Sequence, residues 1–245
     1  VIHAGYQALM VMAMEAGAEI GGWLGDRQMQ SECHGALRRL RRHVPDHLRN
    51  KQAAAMLVLA GLAGPGKVCR TVIARGGAEG FSTFYGYYML EALAEGGLYD
   101  EALQIISDYW GAMLDLGATT FWEDLNYAHA AGAARIDEPV PAGKFDIHAE
   151  SGAYCYKGLR HSLCHGWASG PTPWLSRHVL GIVPLEPGCK SVAVRPHLGH
   201  LKWAEGTFPT PWGVIRVRHE RGADGKVSTS VSASGTSFSM TGLCS

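Results

Sequence analysis

Eight consecutive residues, Gly117-Ala118-Thr119-Thr120-Phe121-Trp122-Glu123-Asp124, bring together two aromatics, two hydroxyls and a pair of carboxylates. His165 stands forty-two positions after Glu123, in a second dense stretch, Arg160-His161-Ser162-Leu163-Cys164-His165-Gly166-Trp167. These residue types suit acid–base chemistry on a sugar. Cleaving a glycosidic bond takes two carboxyl groups, one to protonate the leaving oxygen and one to activate water or attack the anomeric carbon. Aromatics such as Trp122, Trp167 and Trp174 offer apolar faces to a sugar ring, while histidine and arginine fix hydroxyls. The two stretches are expected to face one pocket, with Glu123 as its acid–base carboxylate.

Each residue also has a plainer reading. Glu123 can be a helix-end carboxylate paired with a base, His165 a satisfied core histidine, and Asp124 a solvated loop residue. Asp146, His148 and Glu150 either line the pocket, bind a cation, or simply belong to a polar loop. Trp110, Tyr85 and Tyr88 stand at helical spacing and read as core, while Trp203 and Trp212 read as core or domain-interface residues.

The scaffold that must hold them is helical first and β later. Tyr6, Leu9, Met10, Ala13, Ala16 and Ile20 recur at helical spacing, which predicts a helix over 4–20 ended by Gly21-Gly22. Further helices are expected over 26–42, 49–62, 67–75, 83–95 with Ser82 as cap, and 100–116 with Leu103, Ile106, Tyr109, Trp110, Met113 and Leu114 inward. Residues 125–150 lack periodicity and read as a long loop, 151–167 as a helix, and Thr172-Pro173 as the start of one ending at Gly181. From Pro184 the pattern turns strand-like: 192–196, 201–204, an alternating apolar and basic strand at 214–219, a turn at 222–226, and 227–231. Residues 1–186 are therefore expected to form a helical domain and 187–245 a small β domain.

Composition narrows the function classes. With 47% apolar and 18% charged residues the chain can bury a sizeable core, and 22 basic against 22 acidic side chains leave no footprint for nucleic acid or an anionic membrane. The longest apolar run, 53–63, is too short to span a bilayer. Arg38-Arg39-Leu40-Arg41-Arg42 reads as a solvated helix C-terminus. Six cysteines without CxxC spacing read as buried free thiols rather than a metal site or disulfide framework, and no cofactor or metal is expected. Val1-Ile2-His3 carries no initiator methionine or signal segment, so a fragment of a longer protein is expected and localisation cannot be read.

At this point the chain resembles a known family. Residues 117–123, preceded by Tyr88-Met89-Leu90-Glu91-Ala92-Leu93, look like the C-terminal half of bacterial α-L-rhamnosidases, glycoside hydrolase family 78. So do Ser162-Leu163-Cys164-His165-Gly166-Trp167, the later Gly181-Ile182, and the segment from Pro187-Gly188 to Val217. The resemblance implies an incomplete (α/α)6 barrel, of the six-hairpin glycosidase type, followed by a small antiparallel β-sandwich. It also implies inverting hydrolysis of terminal α-L-rhamnosides, so a carbohydrate partner. Glu123 matches the general base, His165 a contact to the sugar, and Trp122 a wall of the site. Two departures stand out: no match to the family's acidic general-acid motif, and a longer loop between Glu123 and His165 carrying Asp137, Glu138, Asp146, His148 and Glu150.

Overall fold

The computed structural model describes residues 1–150, 160–234 and 239–241, with Glu150 and 239–241 described by backbone alone. The chain divides into two compact units, Val1–Ala168 and Ser169–Ser245.

The first unit is helical. α1 (Ile2–Leu24) and α2 (Arg27–Leu40) pack as a hairpin. α1 does not stop at Gly21-Gly22, as its glycines predict, but runs on to Gly25 at φ 72°. The glycines are there for contact. A Cβ on Gly17 would lie 2.8 Å from Cys33 Sγ, and one on Gly21 3.1 Å from the Gln30 nitrogen, so their absence lets the helices approach closely. Asp26 opens α2 by accepting the Met29 N–H at 2.9 Å. Asn50 opens α3 (Lys51–Leu59) by accepting the Ala53 N–H at 2.9 Å. α4 (Pro65–Val68) starts on a proline and widens into a π turn over Cys69–Ile73. α5 (Thr83–Glu95) and α6 (Tyr99–Asp115) follow. Ser82 stands at the N-cap of α5 as expected, but its buried Oγ makes no cap hydrogen bond. Ala4, Ala8, Val11, Met56 and Leu57 form a core against which Tyr85 and Tyr88 pack half-buried.

Among the residues described between α6 and Ala168, α7 (Tyr127–Ala130) and α8 (Ile147–Glu150) are short helices, and Ala133 bridges to Phe145. The helix expected over 151–167 lies largely outside the described residues; within them, Gly166–Ala168 forms a turn of 3-10 helix.

The second unit opens with α9 (Pro171–Trp174), continued by a π turn at Leu175–Val179. Gly170, rather than Thr172, precedes the first turn. One sheet contains β1 (Ile182–Pro184), β2 (Ser191–Val194) and β6 (Ser239–Thr241), in the order β1-β2-β6. The other is an antiparallel meander of β3 (Trp203–Thr210), β4 (Gly213–Arg221) and β5 (Val227–Ser234). The pairing of β2 with β6 is parallel, which departs from a wholly antiparallel arrangement. Ile182, Val192 and Val194 share a core with Ile215 and Val217, and Leu180 packs against it. That packing places residues before 187 with the sheets, so the unit begins at Ser169.

Gly181, at φ 69°, connects the π turn to β1, and a Cβ there would lie 2.2 Å from the Arg195 carbonyl carbon. Trp203 and Trp212, expected in a core or interface, are 58% and 39% exposed; the Arg218 guanidinium lies over the Trp203 ring at 5.5 Å. Cys33 and Cys69 are buried free thiols as expected, but Cys164 is exposed and Cys189 half-buried; Cys155 and Cys244 lie outside the described residues. Among the described residues no helix is long and apolar enough to cross a membrane.

Candidate active site

The two dense stretches meet through their backbones. The Glu123 N–H donates to the Ser162 carbonyl at 2.9 Å, and the His165 N–H donates to the Phe121 carbonyl at 2.8 Å. The Thr120 hydroxyl donates to the Leu163 carbonyl. Two short irregular segments thereby become one paired ledge.

Helices fix the ledge from below. The Tyr109 hydroxyl on α6 donates to the Leu125 carbonyl at 2.8 Å, and Trp110 Nε1 donates to the Ala168 carbonyl at 2.9 Å. α6 thus holds the far end of each stretch, and α5 adds the Thr83 hydroxyl, which donates to the Glu123 carbonyl. Trp167 Nε1 donates to that carbonyl too, at 2.8 Å. Gly86 on α5 makes room for this arrangement, since a Cβ there would lie 2.6 Å from the Trp110 ring.

Glu123 is oriented by its own side chain as well. Oε2 accepts the Ser162 N–H at 2.9 Å, and Oε1 stands 4.0 Å from His165 Nδ1; the two side chains are 14% and 30% exposed. One oxygen is thus tethered while the other faces an imidazole. A carboxylate held this way can accept a proton from a water delivered to its untethered oxygen.

Around Glu123 the other expected residues take different places. Asp124 is half-buried, and burial chiefly raises its carboxyl above the ordinary range; neighbouring Glu123 adds to this, while the Leu125 N–H and His161 oppose it. Trp167 is 40% exposed and lies against His165, with ring centres 4.2 Å apart and the planes tilted by 52°. Trp122 presents no open wall. It is fully buried, with its ring meeting His148 edge-on at 4.4 Å. Trp174, likewise offered by the sequence as a sugar platform, is fully buried in the second unit. His148 does reach the ledge: its Nδ1 lies 2.8 Å from His161 Nδ1. Burial, with His161 adding to it, lowers the His148 imidazole to about 4. Asp146 caps α8, accepting the His148 and Ala149 N–H groups at 2.8 and 3.1 Å. Among the described residues no group of three or more His, Cys, Asp and Glu is placed to hold a metal ion.

His161 is the participant that the sequence did not single out. Its Nε2 accepts the Asp124 N–H at 3.1 Å, and burial lowers its imidazole below the ordinary range. Its position inside the second stretch was the available signal, and His165 drew the attention instead.

Beside the ledge opens a cleft of about 450 Å³, lined by Trp110, Met113, Leu114, Phe121, Cys164 and His165 among others. Both stretches contribute to it, as expected, but Glu123 is not part of its lining. Leu114, placed inward by helical spacing, is 66% exposed and belongs to this cleft wall.

Comparison with known proteins matches this frame. Residues 181–233 fit the family model of the bacterial alpha-L-rhamnosidase C-terminal domain. No curated protein matches the chain. Among solved structures, a family 78 rhamnosidase of Bacillus sp. GL1 superposes with a TM-score of 0.71 at 20% identity, covering 94% of this chain and 25% of that one. An α-L-rhamnosidase of Streptomyces avermitilis, solved with L-rhamnose, gives 0.67 at 20% identity over 89% of this chain and 21% of its own. One from Aspergillus terreus gives 0.70 at 16% identity over 92% and 26%. The chain spans about a quarter of the length of these relatives. Residues 181–233 thus match the family model of the bacterial alpha-L-rhamnosidase C-terminal domain, and over most of its length the chain resembles in fold a portion of the larger family 78 enzymes.

Proposed function

We propose that this chain is the C-terminal part of an inverting glycoside hydrolase acting on terminal α-L-rhamnosides. In this reading the first unit completes part of an (α/α)6 barrel and the second is a small β-sandwich. Glu123 serves as the general base on the attacking water. His165 and Trp167 contact the sugar, and Asp124, His148 and Trp122 line or support the subsite. The general acid comes from the portion of the relatives that this chain does not span.

The observation that carries the reading is the Glu123 carboxylate, tethered at one oxygen by the Ser162 N–H and turned toward His165 by the other. An inverting base must hold a water in line with the anomeric carbon, so one fixed and one unencumbered oxygen is the arrangement it needs. The expected substrate is a rhamnose-containing glycoside, in keeping with the L-rhamnose held by the Streptomyces avermitilis relative.

The test is Glu123→Gln in the full-length protein, assayed on an aryl α-L-rhamnoside. Amide for carboxylate keeps the shape and removes the base, so kcat should fall about 10²–10⁴-fold. Binding of L-rhamnose should change little. Turnover near that of the parent protein would remove Glu123 from the mechanism. Hydrolysis of a different aryl glycoside in preference to the rhamnoside would keep the base and change the sugar.

A further inference from the structure

We propose that His161 is a positioning residue for Glu123, acting through a hydrogen-bond chain that runs from the Asp124 peptide through His161 to His148. The proposal rests on the reading of Glu123 as the base, but its geometry can be judged separately.

The chain has one allowed polarity. A backbone N–H can only donate, so the Asp124 N–H at 3.1 Å requires a lone pair on His161 Nε2. A neutral His161 then carries its proton on Nδ1, and that N–H donates to His148 Nδ1, 2.8 Å away. His148 must in turn hold its own proton on Nε2, an atom that is buried and has no hydrogen-bond partner. Each tautomer in the pair follows from one main-chain amide. The rings meet at 60° with centres 4.7 Å apart, and His148 is backed by the fully buried Trp122. Neither ring can turn without disturbing that packing.

What the chain holds is the peptide joining Glu123 to Asp124. The Glu123 carbonyl of that peptide receives Thr83 and Trp167, and its N–H, on Asp124, is received by His161. Both polar ends of a single peptide plane are therefore clamped, one residue from the carboxylate. With the Ser162 contacts on the Glu123 N–H and Oε2, both backbone polar groups of Glu123 are hydrogen-bonded. Small displacements of a base relative to its water are costly, and about 1 Å can cost 10²-fold.

Protonation breaks the chain at a defined place. An imidazolium at His161 would put N–H against the Asp124 N–H. Among the groups that bear on His161 are Asp124 and Glu123 from the facing stretch, His165 from its own and His148 at 2.8 Å; His161 and Asp146 bear on His148. Burial keeps both rings neutral to lower pH than an exposed histidine, so the clamp is intact at neutral pH and opens on acidification.

The test combines tautomer spectroscopy with substitution. Long-range ¹H–¹⁵N spectra of the histidine-labelled chain at pH 7.5 should show His161 protonated on Nδ1 and His148 on Nε2. The Asp124 amide should shift with the His161 titration, and stop doing so in His161→Gln, whose amide oxygen can still accept from Asp124. In the full-length protein, His161→Gln should retain most of kcat, while His161→Leu should lose about 10–100-fold in kcat with KM within about twofold. An Nε2-protonated His161, or equal loss in the Gln and Leu variants, overturns the proposal. Should Glu123→Gln prove fully active, the assignment of Glu123 as the base falls, and the spectra still decide the histidine pair.

Discussion

Around Glu123 the carbonyl has two donors where one would satisfy it, and that redundancy makes a measurable prediction. Thr83 is nearly fully buried and Trp167 partly exposed, and both donate to the Glu123 carbonyl. Removing either donor leaves the other in place, so Thr83→Val or Trp167→Phe should each cost about 1 kcal/mol or less. Removing both strands a carbonyl, and a stranded buried acceptor costs about 1–3 kcal/mol. The double variant should therefore lose more than the sum of the singles. Urea denaturation of the four proteins closes the cycle; strict additivity would mean that the two donors do not share the load. The residue scale is also where sequence reading went furthest and then stopped. The meeting of Glu123 and His165 was legible, because a carboxylate and an imidazole stand in two dense aromatic stretches, and the two side chains lie 4.0 Å apart. Trp122 misled for the same reason: an indole beside a glutamate reads as a wall, whereas it is wholly enclosed against His148. Nothing in a linear pattern marks which side of a ledge a ring will take.

Among the elements, α5 and α6 decide where the ledge stands. Gly86 is the contact point, because a Cβ there would lie 2.6 Å from the Trp110 ring, and Trp110 in turn holds Ala168. Alanine at a helical glycine normally gains up to about 1 kcal/mol from propensity. Here the rigid indole cannot yield as a flexible chain end would, and overpacking costs about 1–3 kcal/mol. The clash should win, so Gly86→Ala should lower stability and weaken the Trp110–Ala168 hydrogen bond. A drop in thermal midpoint together with a shifted Trp110 indole N–H resonance checks both parts. The same contact explains a limit of the sequence reading. The helices themselves were evident from the spacing of Leu103, Tyr109, Trp110 and Met113, and α5 falls over the expected 83–95. The glycine contacts were not: Gly17, Gly21 and Gly86 serve close approach, and of these Gly21 reads in sequence as a helix end. The cap of α5 is half legible likewise: Ser82 has the right type and position, but its buried hydroxyl makes no cap hydrogen bond.

At the level of the whole molecule, each unit carries histidines that folding keeps neutral. In the second unit His219 is fully buried on β4, its Nε2 donating to the Leu180 carbonyl at 3.0 Å and its Nδ1 paired with the Thr229 hydroxyl at 2.8 Å. Burial lowers its proton affinity, as it does for His161 and, to about 4, for His148 in the first unit. The unfolded chain meets none of these environments, and its histidines take up protons near pH ~6.5. Below that pH the unfolded state binds more protons than the folded one, so stability is highest above it and falls as pH drops toward the lowered folded values. Asp124 works in the opposite sense, because its raised affinity lets the folded state take a proton first, at lower pH. Four lowered imidazoles, His197 of the second unit being the fourth, against one raised carboxyl leave acid destabilisation as the net direction. Urea midpoints should be level from about pH 8 to pH 7 and fall steadily below about pH 6. His219→Gln can keep a hydrogen bond to Leu180 without a titrating ring, and should flatten part of that fall in the second unit's transition. A midpoint that stayed constant down to pH 5 would mean that these rings gain their protons as readily in the fold as outside it, which their burial and hydrogen bonding oppose.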